Sequence, residues 1–424
     1  MITIKQSDTH IFKNASALIQ SAIDKAASCG EELTIERGVY ICGTLFLRSN
    51  LKMRLEPGAV ILGSGRFEDY SADVNLFVDA VDHERGRSLI YADGVENVTI
   101  SGGGIIDGRG ALFPESHPHH GERPFLVRIM NSKKISFENI TLKNPAAWTL
   151  HLFNCEDVSV KSLFVLSRAN ANNDGIDIDC CRRCVIDSCT IDSGDDAVCI
   201  KSTDDIPCSG ITAKNCVITT NWAGFKIGTE SVGDISDIVF EDSFIYDCMG
   251  CAIKICPTDG ASVKNVTIKN IRLKNATGPV FIANGERMRR YQNGRQKAAP
   301  SSIENVLIKN LRGSCSDAAG TVYKGAPWGN AKAAVCISGT EKTHIKNVRL
   351  ESLELLMPGG TENYVPHTIP QLGGEYPEFH LFGTLPAWGV YARFIDGFSA
   401  EDMRLSPTAH DCRDVIVTEN VTKL

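Results

Sequence analysis

Three aspartates in two short motifs have the chemistry needed for hydrolysis. Asp174 lies in the sequence Asn-Asn-Asp-Gly, and Asp195 and Asp196 follow each other in Gly-Asp-Asp. Carboxylates held close together repel each other, so that one stays protonated while another is ionised. One acid and one base are what the hydrolysis of a glycosidic bond requires, with the carboxyl groups about 6.5 to 9.5 Å apart when the configuration inverts. Asp174, Asp195 and Asp196 are therefore candidate catalytic residues.

Two other uses of these aspartates remain open on the sequence alone. Asn-Asp-Gly and Gly-Asp-Asp are good turn sequences. Clustered carboxylates also bind calcium, although such a site usually takes about six to eight oxygen ligands from a tailored loop. The group Cys180, Cys181 and Cys184 lacks a second half at the spacing of a four-ligand zinc site. The sequence thus predicts no metal and no cofactor.

The aspartates would be positioned by a short strand that recurs along the chain and begins with a polar residue followed by Val or Ile. Between Ile135 and Val266 its second residue recurs at steps of 23 to 28 residues, and the later steps are 40, 42 and 67 residues. Two or three short strands per turn of this length predict an all-β fold, a single right-handed parallel β-helix. A leucine-rich repeat, the competing solenoid, would need a Leu-x-x-Leu-x-Leu string that does not recur here.

The solenoid is expected to occupy residues 1–424 as a single domain. Apolar spacing from Ser16 to Ala27 predicts a short capping helix inside an N-terminal cap region, residues 1–50. The long late steps predict loops at about 283–301, 313–333 and 356–388, the last within a long C-terminal loop region, residues 356–412. The 16 cysteines are expected to act as small buried hydrophobes rather than as disulfides.

A third strand in each turn can be aligned by its pairs of apolar residues. Pairs such as Leu150 with Leu152 would point inward, and the residues between them outward, because side chains alternate along a strand. The outward residues would form one solvent-facing column: His151, Asp177, Cys199, Lys226, Lys254 and Phe281. Two residues before the strand, a second column would contain Trp148, Asp174, Asp196, Ala223 and Cys251. Aspartates and lysines would therefore share one open face.

Lys226 and Lys254 would lie on successive rungs beside the aspartates. Two ammonium groups held side by side repel each other unless an anion binds between them, so a sugar carboxylate is the predicted partner. Arg289, in the basic stretch 287–290, would close over the same face, and Trp148 would contact the sugar. A pair of solvated surface lysines is the alternative interpretation.

These motifs resemble the polygalacturonase family, glycoside hydrolase family 28, and within it divergent bacterial members, over nearly the whole chain. The family pattern Asn-Thr-Asp-Gly is similar to residues 172–175, and its Gly/Gln-Asp-Asp to residues 194–196. The resemblance implies that Asp195 is the general acid and that Asp174 and Asp196 activate the attacking water with inversion. It also implies substrate contacts from Asn172 and Lys254.

Two family positions differ in this chain. The family's Gly-His-Gly is Trp-Ala-Gly at residues 222–224, and its Arg-Ile-Lys is Ala-Ile-Lys at residues 252–254. A histidine and an arginine are therefore missing. We hypothesise that Lys226 and the basic stretch 287–290 replace the positive charge, and that His151 stands in for the histidine.

These features predict a glycoside hydrolase that cleaves α-glycosidic bonds in pectin-type, galacturonic-acid-containing oligosaccharides with inversion. Long loops that wall one side of the cleft favour attack at chain ends. Two alternatives remain: a β-helix polysaccharide lyase, which would release an unsaturated product that absorbs ultraviolet light, and a non-catalytic carbohydrate-binding β-helix, which would show no turnover.

Charge and hydropathy limit the classes of partner that this protein can bind. The net charge of −7 argues against nucleic acid as the partner. No stretch of about 18 apolar residues indicates a membrane span. The N-terminus does not have the pattern of a signal peptide, so a cytoplasmic location is expected. The predicted partner is an anionic oligosaccharide, and the oligomeric state is left open.

Overall fold

The computed structural model describes residues 1–8, 14–291, 297–317, 322–323, 326–327 and 334–424. They form two compact units, Met1–Asp195 and Asp196–Leu424. Each unit consists of short parallel strands wound as a right-handed parallel β-helix, the predicted fold. Among the described residues, no helix has both the length and the apolar character needed to cross a membrane. A single domain over the whole chain stays a prediction.

The first unit contains the capping helix α1 (Ser16–Cys29). Its strands are β1 (Ile2–Ile4), β2 (Glu32–Ile35), β3 (Gly38–Cys42), β4 (Leu45–Phe46), β5 (Lys52–Leu55), β6 (Ala59–Gly63), β7 (Phe77–Val78), β8 (Glu84–Arg85), β9 (Ser88–Asp93), β10 (Glu96–Gly102), β11 (Ile105–Asp107), β12 (Phe125–Met130), β13 (Lys133–Glu138), β14 (Thr141–Lys143), β15 (Leu150–Phe153), β16 (Glu156–Lys161), β17 (Phe164–Ser167), β18 (Ile176–Asp179), β19 (Arg182–Asp187) and β20 (Thr190–Ser193).

The repeated strand motif stacks in register from coil to coil. Ile135 of β13 pairs with Val158 of β16, which pairs with Cys184 of β19. These three side chains are buried in the core. In β19 the inward position is occupied by Cys184, and Val185, which the spacing of the repeat predicts there, is 40% exposed. A buried cysteine acts as a small hydrophobe, so it fills a position where the motif otherwise has Val or Ile.

Asparagines at the bends connect neighbouring coils. Asn131 and Asn154 have φ angles of 49° and 50°, in the left-handed region that asparagine tolerates better than most residues. The side-chain amide Nδ2 of Asn154 donates to Asn131 Oδ1 at 2.7 Å. The side-chain Nδ2 of Asn131 donates in turn to Asp93 Oδ1 at 2.7 Å. Each bend is thus tied to the bend below it.

Helix α1 closes the N-terminal end of the first unit. Ile19, Ala22, Ile23 and Ala26 are buried, which is the spacing of one helix face. The helix ends at Gly30, whose φ of 71° lies in the left-handed region typical of a helix C-terminus. The predicted helix is confirmed. Residues 1–50 also contain β1 to β4, so the cap region includes the first coil strands.

The second unit contains the remaining strands. They are β21 (Val198–Ser202), β22 (Cys208–Lys214), β23 (Val217–Thr220), β24 (Ala223–Ser231), β25 (Ile235–Glu241), β26 (Phe244–Cys248), β27 (Cys251–Pro257), β28 (Ser262–Ala276), β29 (Val280–Ala283), β30 (Ser302–Cys315), β31 (Val322–Tyr323), β32 (Ala326–Pro327), β33 (Val335–Ser338), β34 (Ile345–Gly359), β35 (Ala387–Ala409) and β36 (Asp414–Lys423). The predicted loop at 313–333 lies in large part outside the described residues.

The C-terminal loop region predicted at residues 356–412 contains a long strand in its second half. The connection between β34 and β35 is long, but β35 is a 23-residue strand. The repeat position after Val348 is occupied by Phe398, with which it pairs. At this coil the motif has Phe398 in place of Val or Ile, and for this reason the spacing of the motif predicts a last step of 67 residues.

The cysteines take core positions in both units. All except Cys29 and Cys412 are buried. Burial raises the pKa of the Cys42 and Cys248 thiols to about 12, so that they stay protonated at neutral pH. They behave as the small buried hydrophobes that the sequence predicts.

Candidate active site

Asp174 and Asp195 come together in the first unit. Asp174 precedes β18, and its backbone carbonyl accepts hydrogen bonds from the amide and the hydroxyl of Thr149 at 3.1 and 2.6 Å. Asp195 follows β20, and its amide donates to the Asn173 carbonyl at 3.2 Å. Asp174 is 3% exposed and Asp195 is half-buried. Their carboxylate oxygens lie within 4.8 Å of each other. Their catalytic roles stay predictions.

This carboxylate separation differs from the sequence-based expectation. The oxygens of Asp174 and Asp195 lie within 4.8 Å, whereas carboxyl groups of inverting glycosidases are usually about 6.5 to 9.5 Å apart. The distance therefore does not identify the stereochemical course. The two side chains are also of the type that binds a hard cation, but they fall short of the about six to eight oxygens that calcium takes.

Asp196, the first residue of the second unit, lies beside a buried lysine. It is 2% exposed, and its Oδ2 accepts a hydrogen bond from Lys226 Nζ at 2.6 Å. Ala223, where the family has histidine, contributes its backbone N–H to Asp196 Oδ1 at 3.3 Å. Burial lowers the pKa of Lys226, but the charge of Asp196 outweighs this and holds that pKa well above its usual value. Asp196 thus faces a permanent cation.

Lys254 is also paired inside the protein. Lys226 pairs in register with Lys254, and Lys254 with Phe281, so the predicted alignment of these strands is confirmed. Lys254 Nζ lies 2.8 Å from Glu378 Oε1, and the two side chains are 2% and 13% exposed. Each lysine therefore has an internal carboxylate as its partner. Neither requires an external anion to balance its charge.

The prediction that this column faces solvent is wrong. Lys226 and Lys254 are 2% exposed and Phe281 is fully buried. Residues 376–382, the covering segment, lie over them. The Tyr376 ring centre is 5.4 and 5.6 Å from the two ammonium groups, and two phenylalanines of the segment pack against Phe281. Alternation along a strand gives the direction of a side chain, but it does not reveal which distant segment covers it.

The corresponding residues of the first unit are buried too. His151 pairs in register with Asp177, and both are fully buried. His151 Nε2 lies 3.2 Å from Asp179 Oδ2. Trp148 is 3% exposed and stacks on Phe125 with ring centres 5.0 Å apart. These positions correct the expected exposure of His151 and Asp177, and they do not support a sugar contact from His151 or Trp148.

The basic stretch at residues 287–290 is anchored on Asp259. Its carboxylate is buried and accepts hydrogen bonds from Arg287 Nη2 at 2.7 Å and from the Tyr291 hydroxyl at 2.8 Å. The Arg289 amide donates to the same carboxylate at 2.9 Å, and its half-buried side chain lies against the Tyr291 ring. The charge of Arg287 is therefore balanced internally.

Two arginines that sequence reasoning does not identify surround Asn172. Asn172 Oδ1 accepts hydrogen bonds from Arg123 Nη2 at 2.9 Å and from Arg85 Nη2 at 3.3 Å. Both arginines are 1% exposed. Arg123 lies two residues before β12, outside the two aspartate motifs. Arg85 belongs to the β7–β8 hairpin, which lies outside the repeat.

Comparison with known proteins supports the family. The chain is 28% identical over 278 residues to a probable polygalacturonase of Vitis vinifera, covering 60% of this chain and 56% of that protein. It thus spans little more than half of that relative. The fold is similar to the Family 28 exopolygalacturonase of Yersinia enterocolitica (TM-score 0.72, 18% identity, 99% of this chain and 78% of that one). It is also similar to a hyperthermoactive exopolygalacturonase of Thermotoga maritima (TM-score 0.66, 20% identity, 84% and 90%).

The family model described as glycosyl hydrolases family 28 matches residues 68–352. This range contains the three candidate aspartates, Asn172 and both lysines of the column. The match covers well over half of the chain. The protein therefore belongs to glycosyl hydrolases family 28.

Proposed function

We propose that this protein hydrolyses α-glycosidic bonds of galacturonic-acid-containing oligosaccharides of the pectin type. The observation that carries the proposal is the pair of carboxylates, Asp174 and Asp195, with oxygens within 4.8 Å in the first unit. A glycoside hydrolase needs one carboxyl to protonate the leaving oxygen and one carboxylate to activate water. Membership of family 28 supports this reading of the two side chains.

The environments of the aspartates suggest how the work is divided. Asp195 is half-buried and follows a turn, so it can reach the leaving-group oxygen as the general acid. Asp174 is buried and fixed through its backbone, and we assign to it the activation of water. Asp196, whose Oδ2 accepts a hydrogen bond from Lys226 Nζ, would share this role, as the family resemblance implies. We propose that the configuration inverts, as the family resemblance implies.

We further propose that hydrolysis proceeds from a chain end. The support lies in the second unit, where the covering segment buries Lys226, Lys254 and Phe281. This part of the sheet face is therefore closed, whereas an enzyme that cuts within a long chain needs an open groove. The two solved structures named above are described as exopolygalacturonases.

A product analysis tests the proposal. The wild-type protein is incubated with pectic oligosaccharides of defined length, and the first products are read by mass and by proton NMR of the anomeric centre. We expect single residues released with inverted configuration, and we expect Asp195→Asn to lower kcat by about 100-fold to 10,000-fold. An unsaturated product would indicate a lyase, retained configuration would overturn inversion, and saccharide binding without turnover would indicate a binding protein.

A further inference from the structure

The amide of Asn172 is held in one orientation. Its Oδ1 accepts hydrogen bonds from two guanidinium groups, Arg123 at 2.9 Å and Arg85 at 3.3 Å. The reverse orientation would point the NH2 group at two cations and lose both bonds. The NH2 group itself has no hydrogen-bond partner among the residues that the structure describes, and the side chain is half-buried. Asn172 therefore presents a fixed donor.

The charge around Asn172 is only partly balanced. Arg85 Nε lies 2.7 Å from Asp79 Oδ2, so the charge of Arg85 is balanced by an ion pair. Arg123 donates to the carbonyls of Ala146 and His120 at 2.7 Å each and to that of Ala171 at 2.9 Å. Within the part of the chain that the structure describes, it forms no ion pair with a carboxylate.

Arg123 thus has no ion-pair partner of its own among the described residues, although the charges of Asp79 and Glu115 act on it from further away. Burial first, and then the charge of Arg85, lowers the pKa of Arg123 to about 9, which still leaves it charged at neutral pH. A buried cation without an anion is unfavourable, and an anion that binds nearby relieves the cost.

A neutral histidine completes the cluster. Arg85 Nη2 lies 2.9 Å from His83 Nδ1, which must act as an acceptor. Burial and the charge of Arg85 lower the pKa of His83, so the ring stays neutral under ordinary conditions. His83 thus orients Arg85 without adding charge.

We propose that Asn172, held in place by Arg85 and Arg123, recognises the carboxylate of a uronic acid residue of the substrate. Asn172 would donate to the carboxylate, and the two arginines act as positioning residues that fix the amide and supply positive potential. Asn172 lies two residues before Asp174, so the bound sugar would adjoin the candidate acids. The inference rests on the proposed function for its substrate class.

The test is a binding measurement that does not require turnover. In an Asp195→Asn background, calorimetry compares digalacturonic acid with its methyl ester at low salt. A charge-assisted hydrogen bond predicts that the acid binds about tenfold or more tightly than the ester. Arg123→Gln should remove most of this preference and leave ester binding nearly unchanged.

Asn172→Asp provides a variant that is expected to fold. The new carboxylate would accept hydrogen bonds from the same two arginines, so the melting temperature should stay equal or rise. It would repel the substrate carboxylate, so the preference should fall below one. Preference retained in both Asn172→Asp and Arg123→Gln would overturn the proposal, and so would equal binding of acid and ester to the background protein.

Arg393→Gln is the matched control. Arg393 is also buried, and it donates to the carbonyls of Ile369 and Pro370 at 2.7 and 2.6 Å, but it belongs to the second unit. It should leave the preference unchanged even if it lowers stability. Acid preference without turnover in the wild type would reject the proposed function and keep this inference. Turnover in the wild type, together with a preference for the acid that these variants do not change, would keep the proposed function and reject this inference.

Discussion

Two regions of the molecule differ in how their positive charge is balanced. We call Arg85 and Arg123 around Asn172 the arginine region, and Lys226 and Lys254 of the second unit the lysine region. Lys226 and Lys254 are each paired with a carboxylate of the protein, Asp196 and Glu378. Arg123 instead donates to carbonyl and amide oxygens, none of which carries a charge. The number of cations in a region therefore says little about anion binding. What matters is whether the protein has already balanced the charge.

The strongest way to break this comparison is to remove one cation of the lysine region. Lys226→Met leaves the buried carboxylate of Asp196 without its partner, and losing half of a buried ion pair costs about 3 to 5 kcal/mol. Urea denaturation should show this loss. Lys226→Arg, which keeps the charge, should retain most of the stability. Unchanged stability in Lys226→Met would show that the pairing of Lys226 with Asp196 does not stabilise the fold.

A smaller effect is expected when Glu378 loses its charge. Glu378→Gln makes the lysine region resemble the arginine region, because Lys254 then has no anionic partner in its pair. We expect a loss of about 1 to 3 kcal/mol in the free energy of unfolding, less than for Lys226 because Glu378 is 13% exposed. Binding of digalacturonic acid should strengthen relative to its ester. If the preference does not change, the covering segment keeps Lys254 out of reach.

Added salt should weaken binding of the acid by a few-fold if the arginine region, rather than the lysine region, recognises it. Raising sodium chloride from 50 mM to 0.5 M shortens the screening length several-fold, which weakens attraction at the half-buried Asn172 but hardly affects the fully buried lysine pairs. Calorimetry should show weaker binding of the acid and unchanged binding of the ester. A salt-independent preference would contradict recognition by the arginine region.

The last prediction concerns the pH dependence of stability, to which the two regions contribute at opposite ends of the pH scale. Burial would raise the pKa of Asp79, but the Arg85 charge and hydrogen bonds to the carboxylate lower it below its ordinary 3.8. Its contribution to stability is therefore present above about pH 4 and lost as the pH falls through the lower folded value. The raised pKa of Lys226 gives a contribution present below its ordinary 10.5 and lost only above it. Asp79→Asn should flatten acid unfolding alone; an unchanged acid transition would contradict this.

The spacing of apolar residues along the sequence predicted the coils and much of their alignment. The register of Lys226 with Lys254, and of His151 with Asp177, follows from the spacing of the apolar pairs. The same logic predicts Asp174 and Asp196 on successive coils, with Asp195 beside Asp196. It failed at Phe398, where the repeat has neither Val nor Ile.

Burial could not be predicted in the same way. Glu378 contacts Lys254 across 124 residues of sequence, and Arg85 reaches Asn172 across 87. No periodicity links such residues, because the contacts come from irregular segments laid over the coils. The sequence identified side chains that could do chemistry, and tertiary contacts decided which of them are already occupied.

The asparagine bends have a consequence for building new proteins on this scaffold. In the second unit Asn265, Asn305 and Asn347 are joined side chain to side chain at 3.1 and 3.0 Å, although 40 and 42 residues separate them along the chain. The bends are therefore aligned although long stretches of polypeptide lie between them. We expect that new binding loops grafted into these stretches would leave the side-chain contacts between the bends in place.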